Sequence, residues 1–283
     1  MATHVAVAQP AYRAADTQLY AMQQVKRMRG GAQAHLMRAS DGGFYVVKFA
    51  NNPQHIRVLA NEYLAARIGQ RLALPMPRVE VIEVSTWLVE HTPDLRFEYT
   101  DRSELCSSGL QLASRYAADI ENDFVCEWLP ESMFPRVRNG SDFATILVLD
   151  KWTCNADGRQ AIFSKRATST RYDVTFVDQG YCFNAGEWNF PDLALQGVYC
   201  RNHVYQHVTS WDSFEPALTC AEELDINDLW GCAADLPPEW CEPDPDDLPR
   251  LIDDLCRRRS KIRDLIAQFR DSSRNPFPNW GRA

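Results

Sequence analysis

Five polar side chains that could move a phosphoryl group fall in one short stretch: Asp150, Asn155, Asp157, Arg159 and Gln160, directly behind the apolar run 147–149. Some twenty residues on, the β-like run Val174-Thr175-Phe176-Val177 ends in Asp178, followed by Gln179 and Gly180. Phosphoryl transfer requires such a pair of groups, one carboxylate to orient a hydroxyl and another to hold magnesium. A buried strand seldom ends in a carboxylate that has no partner, because burying an unpaired charge is costly. An amine for the phosphates stands upstream: Lys48 closes the run Phe44-Tyr45-Val46-Val47-Lys48-Phe49. Glu62, fourteen residues further along and within a helical pattern, is placed to pair with it. Gly30-Gly31 forms a turn whose backbone amides could approach phosphates, since neither residue carries a Cβ.

The polar cluster has two registers. In the first, Asp150 and Asn155 have the D-x-x-x-x-N spacing of a catalytic loop, with Asp150 as base and Asn155 as metal ligand. In the second, Asp157 is the base, Arg159 balances its charge, and Asn155, Gln160 or both complete the polar site. The second is favoured because Asp150 continues the preceding helical run. Glutamine is an uncommon ligand for magnesium, but its carbonyl oxygen is chemically competent.

These groups need a frame. Segment 25–39 reads as strand, glycine turn, strand, and Ser40-Asp41-Gly42-Gly43 as a hairpin turn into the strand that carries Lys48. Asn52 is expected to cap a helix with Pro53 at its first position. Ile56, Leu59, Ala60, Tyr63, Leu64, Ile68 and Leu72 recur at helical spacing, and the helix should end before Pro75. Segments 77–84 and 86–90 alternate like two further strands, giving a small α+β lobe over residues 1–95, with residues 1–20 as an extended lead-in. Residues 91–125 are polar and irregular and hold the connection to a second lobe, 96–270. In that lobe a helix capped by Ser141 runs to Asp150, strands follow at 160–163 and 172–177, and 190–208 and 211–218 read as helices or helical turns. An amphipathic helix spans 248–270, and 271–283 is expected to be a flexible tail.

Composition narrows the function classes. The chain has 283 residues, 45% apolar and 24% charged, with a net charge of −8. That charge argues against a general nucleic-acid surface. No run of eighteen apolar residues provides a membrane span. The amino-terminal residues lack the basic and apolar regions of a secretion signal. A cytoplasmic location is expected, with a monomer as the default. The nine cysteines include no C-x-x-C pair and read as free thiols.

The pattern D-x-W-x-x-N-x-D, here Asp150-Lys151-Trp152-Thr153-Cys154-Asn155-Ala156-Asp157, resembles the HipA-like kinase family. So does Phe176-Val177-Asp178-Gln179-Gly180, in the place of that family's metal-binding segment. The Gly-Gly turn, Lys48 and Glu62 fit its small lobe, and Leu236-Pro237-Pro238-Glu239-Trp240 with the following helix is similar to its carboxyl-terminal end. The resemblance implies a bilobal, protein-kinase-like α+β fold. It implies ATP and Mg²⁺ as cofactors and phosphorylation of Ser or Thr on a protein, possibly the chain itself. Asp157 would be the catalytic carboxylate and Asp178 the metal ligand. Related motifs continue D-R-x-x-x-N, whereas Gly158 intervenes here and Ile162 holds the asparagine position, leaving Gln160 or Asn155 to replace the second ligand. A weakened pseudokinase that binds nucleotide, or an adenylyl transferase, are the alternatives on the same fold.

Overall fold

Residues 18–244 and 246–282 are described by a computed structural model, so most of the expected lead-in at 1–20 lies outside the described residues. The described residues open with three antiparallel strands, β1 (Leu19–Arg27), β2 (His35–Ala39) and β3 (Phe44–Lys48). The turn between β2 and β3 forms as its residues require: the Asp41 carboxylate accepts the Gly43 N–H at 2.8 Å, and Gly42 takes a φ of 78°. Helix α1 (Arg57–Arg71) follows, then β4 (Val79–Val84), helix α2 (Thr86–Glu90), the short hairpin β5 (Arg96–Glu98) and β6 (Ser103–Leu105), and β7 (Gly109–Arg115). The strands close into a barrel in the order β1-β2-β3-β7-β4, with β4 meeting β1 in parallel at Leu19↔Ile82.

The rest of the chain is mainly helical. A second sheet, in the order β10-β9-β8, is built from β8 (Asp123–Cys126), β9 (Gln160–Arg166) and β10 (Asp173–Val177). Helix α3 (Asp142–Thr153) lies between β8 and β9 in the chain; α4 (Ala217–Glu223), α6 (Asp247–Arg258) and α7 (Ile262–Arg270) pack on α3, and α5 (Ile226–Cys232) packs on α6 and α1. Helix α3 is apolar around most of its circumference because it is enclosed: Phe143, Ile146, Leu147, Val148, Leu149 and Trp152 are all buried. Its core is continuous with that of α1 through Leu59, Tyr63, Leu64 and Ile68.

Several expected elements differ. Asn52 does not cap α1. Its side-chain oxygen accepts the Gln54 and His55 N–H groups at 3.0 and 3.2 Å, closing a separate turn, and the helix begins only at Arg57. Segment 86–90 is helix α2, because the Ser85 hydroxyl accepts the Leu88 N–H at 3.1 Å and caps it. Segment 91–125 contains strands, and β7 pairs with both β3 and β4, so the first sheet extends past residue 95 to Arg115. The pattern hid β7 because Gln111 sits in its middle. Gln111 is nonetheless buried, its amide bonded to the Ala50 N–H and to the Ser107 and Ser108 carbonyls.

Helix α3 runs three residues beyond Asp150, and Ser141 precedes it without a side-chain capping bond. The 190–208 region is irregular apart from a 3₁₀ turn at Asn202–Tyr205. The single helix expected at 248–270 is split at Arg259–Lys261. The tail is held down, with Phe277 buried against Tyr205, Phe214 and Phe269.

Trp240 joins the two parts of the chain. It is fully buried, packs edge-on against Tyr63 of α1, and donates its indole N–H to Leu110 O at 3.4 Å. Trp240→Ala is expected to destabilise the protein by about 3–5 kcal/mol, the usual cost of emptying a large core position. Urea unfolding followed by circular dichroism measures this, and a change below about 1 kcal/mol would show that the junction does not bear on stability.

Candidate active site

Lys48 leaves the end of β3 with its side chain directed between α1 and the end of β10. Its ammonium contacts Glu62 Oε2 at 2.8 Å and Asp178 Oδ1 at 2.8 Å. The three groups come from positions fourteen and 130 residues from Lys48, so only the folded chain assembles them. Burial by itself would lower the Lys48 pKa, but the two carboxylates outweigh it and raise it, so the amine stays charged. Burial likewise pushes the Asp178 carboxyl up. The Lys48 ammonium, helped by their hydrogen bond and by the field of Arg159, reverses this and holds it below the ordinary value. The Lys48 and Glu62 side chains are 10% and 6% exposed, whereas Asp178 is 36% exposed. Asp178 is therefore the member of the triad that a ligand can reach.

The backbone around Asp178 is fixed residue by residue. Asp178 itself has a φ of 61°, in the left-handed region. The Gln179 N–H donates to Glu62 Oε2 at 2.9 Å. On the other side, the Arg159 guanidinium donates to Val177 O at 3.0 Å and to the Gln179 side-chain oxygen. Arg159 also forms a two-pronged ion pair with Asp150, both side chains 1% exposed. Asp150 accepts a further bond from Asn155 Nδ2 at 2.9 Å.

These bonds separate the two registers of the polar cluster. Asp150 lies inside α3, paired with Arg159, and its carboxylate is fully engaged as a brace. This engagement is that of a structural anion and disfavours the first register, in which Asp150 is the base. Asn155 is likewise used internally, its oxygen accepting the Asp157 N–H at 3.2 Å. Asp157 is exposed on the loop that follows, where its own carboxylate accepts the Gly158 N–H at 2.7 Å and its carbonyl accepts Gly197 N–H at 3.1 Å. The loop is joined to the segment after Asp178 through Ala156 N–H to Tyr181 O at 2.9 Å and Asn184 N–H to Cys154 O at 3.2 Å. Gln160 is exposed at the start of β9, where it pairs with Val177, the residue before Asp178.

Gly30 and Gly31 form the β1–β2 turn, Gly30 with a φ of 121°. A Cβ on Gly31 would come within 2.8 Å of the Gln54 amide, and Gln54 in turn donates to the Tyr181 hydroxyl at 3.1 Å. The turn thus lies over the segment that follows Asp178. His35, the first residue of β2, is fully buried, and burial pushes its imidazole down to about 4.

For a divalent cation, the triad offers a donor set of one reachable carboxylate, Asp178. Among the described residues no group of three or more His, Cys, Asp and Glu side chains could hold a metal ion. That set suits a cation carried by phosphates, because magnesium keeps waters and usually takes only one or two protein carboxylates. Arg159 and Asn155 were identified from sequence only as charge balance and ligand; their bracing role depends on Asp150 facing them, which spacing does not reveal. Asn61 and Arg57 were overlooked altogether. Their one signal is polarity four residues apart on the face of α1 that also leads to Glu62.

The barrel, the helical part and a lysine held between two carboxylates define a kinase-like protein. Two solved structures share the fold: CtkA, a proinflammatory kinase of Helicobacter pylori, at 14% identity and TM-score 0.53 over 85% of this chain and 92% of that one, and the Golgi casein kinase at 11% identity and TM-score 0.50 over 88% of this chain and 73% of that one. No curated protein matches the sequence. Residues 22–264 match the HipA-like kinase family, and the chain belongs to it. Among the described residues no helix is long and apolar enough to cross a membrane.

The ion triad sets a pH test. In the wild type, Asp178 is held below 3.8, so its contribution to stability is present above that pH and is lost only as pH falls through the lower folded value. Lys48→Met leaves Asp178 without its ammonium, and burial then favours the protonated form of that carboxyl. Buried His35 lowers the stability of both proteins as pH falls below about 6.5, so the expected outcome is in the difference: the melting temperature of Lys48→Met relative to the wild type should rise as pH is lowered from 8 to 5. Parallel profiles in scanning calorimetry would mean that the triad does not form in solution.

Proposed function

We propose that the protein is an ATP- and Mg²⁺-dependent kinase that transfers the γ-phosphate to a Ser or Thr hydroxyl of a protein. The observation that carries this reading is the Lys48 ammonium held at 2.8 Å from both Glu62 and Asp178. Such an amine, kept charged and fixed at both sides, is suited to the α- and β-phosphates of a nucleotide. The face of the sheet that carries Lys48 also presents Val46 and Ser114, a cross-strand pair between β3 and β7. Both are only half buried, which leaves a floor for the base next to the amine.

Asp178 would hold Mg²⁺, which when bound neutralises charge on the phosphates. Asp157, exposed and tied by backbone bonds to the segment after Asp178, would accept the proton of the attacking hydroxyl. Arg159 keeps the two loops in register from beneath, and Glu62 keeps Lys48 from swinging towards Asp178 alone. The chain's contribution is therefore positioning and fixed charge, with no covalent step. A polypeptide acceptor would approach along the Asp157 side.

A second reading is supported by Asn155. Both ends of its amide are committed to Asp150 and Asp157, which leaves the exposed amide of Gln160 as the remaining candidate for a second ligand near Asp178. A weak kinase, or one that binds nucleotide without turnover, has this donor set.

Incubation with ATP labelled at the γ- or the α-phosphate separates the readings. Label from γ alone on protein supports phosphorylation, label from α supports adenylylation, and neither with retained ATP binding supports the pseudokinase. In the kinase case Asp157→Asn and Asp178→Asn should each reduce turnover by about 10²-fold or more. Wild-type rates in both variants would overturn the assignment of these carboxylates.

A further inference from the structure

The residues after Asp178 are held in a conformation that they would not adopt alone. Phe183, Asn184, Ala185 and Trp188 have φ values of 59°, 57°, 59° and 48°, and Asp178 has 61°. Non-glycine residues rarely occupy this region, and such a cluster persists only where the surroundings over-determine it. Part of the restraint comes from the loop 153–156, through Phe183 N–H to Thr153 O at 2.6 Å and the two bonds already described. The other part comes from α1, chiefly from Asn61, with Arg57 beside it.

Asn61 is fully buried. Its Nδ2 donates to Gly180 O at 2.8 Å and to Ala185 O at 2.7 Å, and its oxygen accepts the Trp188 indole N–H at 2.7 Å. Both amide hydrogens are used, and all three bonds go to the same segment. Arg57, one turn earlier, donates to Gly186 O at 3.0 Å and stacks on the Trp188 ring at 4.4 Å. The contact is close enough that a Cβ on Gly180 would lie 2.7 Å from Val58, and one on Gly186 would lie 3.0 Å from His55. The next residue on α1 is Glu62, which holds Lys48 and the Gln179 N–H.

One sequence fact stands beside this geometry. From Gln179 to Val198 there is no serine and no threonine. A segment of this kind cannot be ordered by phosphorylation of a Ser or Thr within it. Its one phosphorylatable hydroxyl, that of Tyr181, accepts from Gln54 at 3.1 Å, and the restraints described use unmodified groups throughout.

We propose that Asn61 is a positioning residue that latches the segment 180–188 to the helix carrying Glu62, and so sets the place of Asp178 relative to Lys48 without any modification of the segment. The latch acts on the metal carboxylate through the backbone that follows it. Lys48, held from β3 and by Glu62, is positioned independently. The proposal rests on the kinase reading for its catalytic consequence, but the latch itself is a property of the fold.

The test uses Asn61→Ala and Asn61→Asp in the full chain. Asn61→Asp keeps the acceptor for Trp188 but replaces both donors with a carboxylate oxygen facing two carbonyls. Hydrogen exchange of the amides at 180–188 should accelerate by about tenfold or more in both variants, the factor expected for losing a buried hydrogen bond. Exchange in β2 and β3 should be unchanged. Calorimetric binding of ATP in EDTA should stay within about twofold of wild type, while the Mg²⁺ concentration for half-maximal turnover rises about tenfold or more. A general loss of structure would weaken both together.

Wild-type exchange in both variants overturns the latch. Faster exchange with an unchanged Mg²⁺ requirement overturns its link to Asp178. If the wild type neither binds ATP nor turns over, the kinase reading has failed, and the exchange arm alone decides the latch. Should the Asn61 variants not fold, Trp188→Phe removes one of the three bonds and is subject to the same exchange criterion. Loss of turnover on phosphatase treatment of the wild type would overturn the claim that no modification is needed.

Discussion

The Lys48 ammonium stands between two carboxylates, and the remaining architecture can be understood from what that arrangement requires. Taking three ionised groups out of water is expensive, and their mutual attraction offsets this only when the geometry is held closely. The barrel fixes β3 through its pairing with β2 and β7. The core between α1 and α3 fixes Glu62. The β9–β10 pairing fixes the residue before Asp178. No one of these elements could be shifted alone without leaving a buried charge unpaired. With two carboxylates to one ammonium, the triad is also left with excess negative charge on its open side, which favours a cation arriving there with phosphates.

A second buried ion pair, Arg159 with Asp150, lies on the other side of Asp178. Three consecutive residues are shared between the two clusters. Arg159 takes the Val177 carbonyl and the Gln179 side chain, Lys48 takes the Asp178 carboxylate, and Glu62 takes the Gln179 N–H. Removing either cation would leave its carboxylate partner uncompensated, a far larger penalty than losing an exposed pair. The same division explains the left-handed backbone at Asp178: the chain must present its carboxylate to one cluster and its neighbours to both. Asp157 is the exception among the charged residues of the polar cluster. Like Gln160, it belongs to neither ion pair and faces solvent, but it alone of the two carries a charge.

Local chemistry was readable where neighbours in sequence are neighbours in space. The Ser40–Gly43 turn, the strand ending in Lys48, the periodicity of α1 and the run ending in Asp178 each follow from a few adjacent residues. Family-specific spacing around Trp152 and Asp157 added the kinase assignment, which the match over residues 22–264 bears out. Misreadings arose where a polar residue has a distant partner. Gln111 concealed β7 because its amide is satisfied by Ala50 and by carbonyls that approach only in the fold. Asn52 looked like the cap of α1, but it closes the turn before the helix.

Sequence alone determined which residues could carry the chemistry, because Lys48, Glu62, Asp157 and Asp178 have the side chains and the local settings for it. Only the tertiary structure showed that Asp150 is buried in an ion pair while Asp157 faces solvent, since the difference lies in whether an arginine nine residues away folds back onto the carboxylate. It also disclosed Asn61, whose partners lie more than a hundred positions further along the chain. Spacing encodes the short-range geometry of helices and strands. Long-range pairing of buried polar groups depends on which surfaces the core brings together, and no local pattern records that.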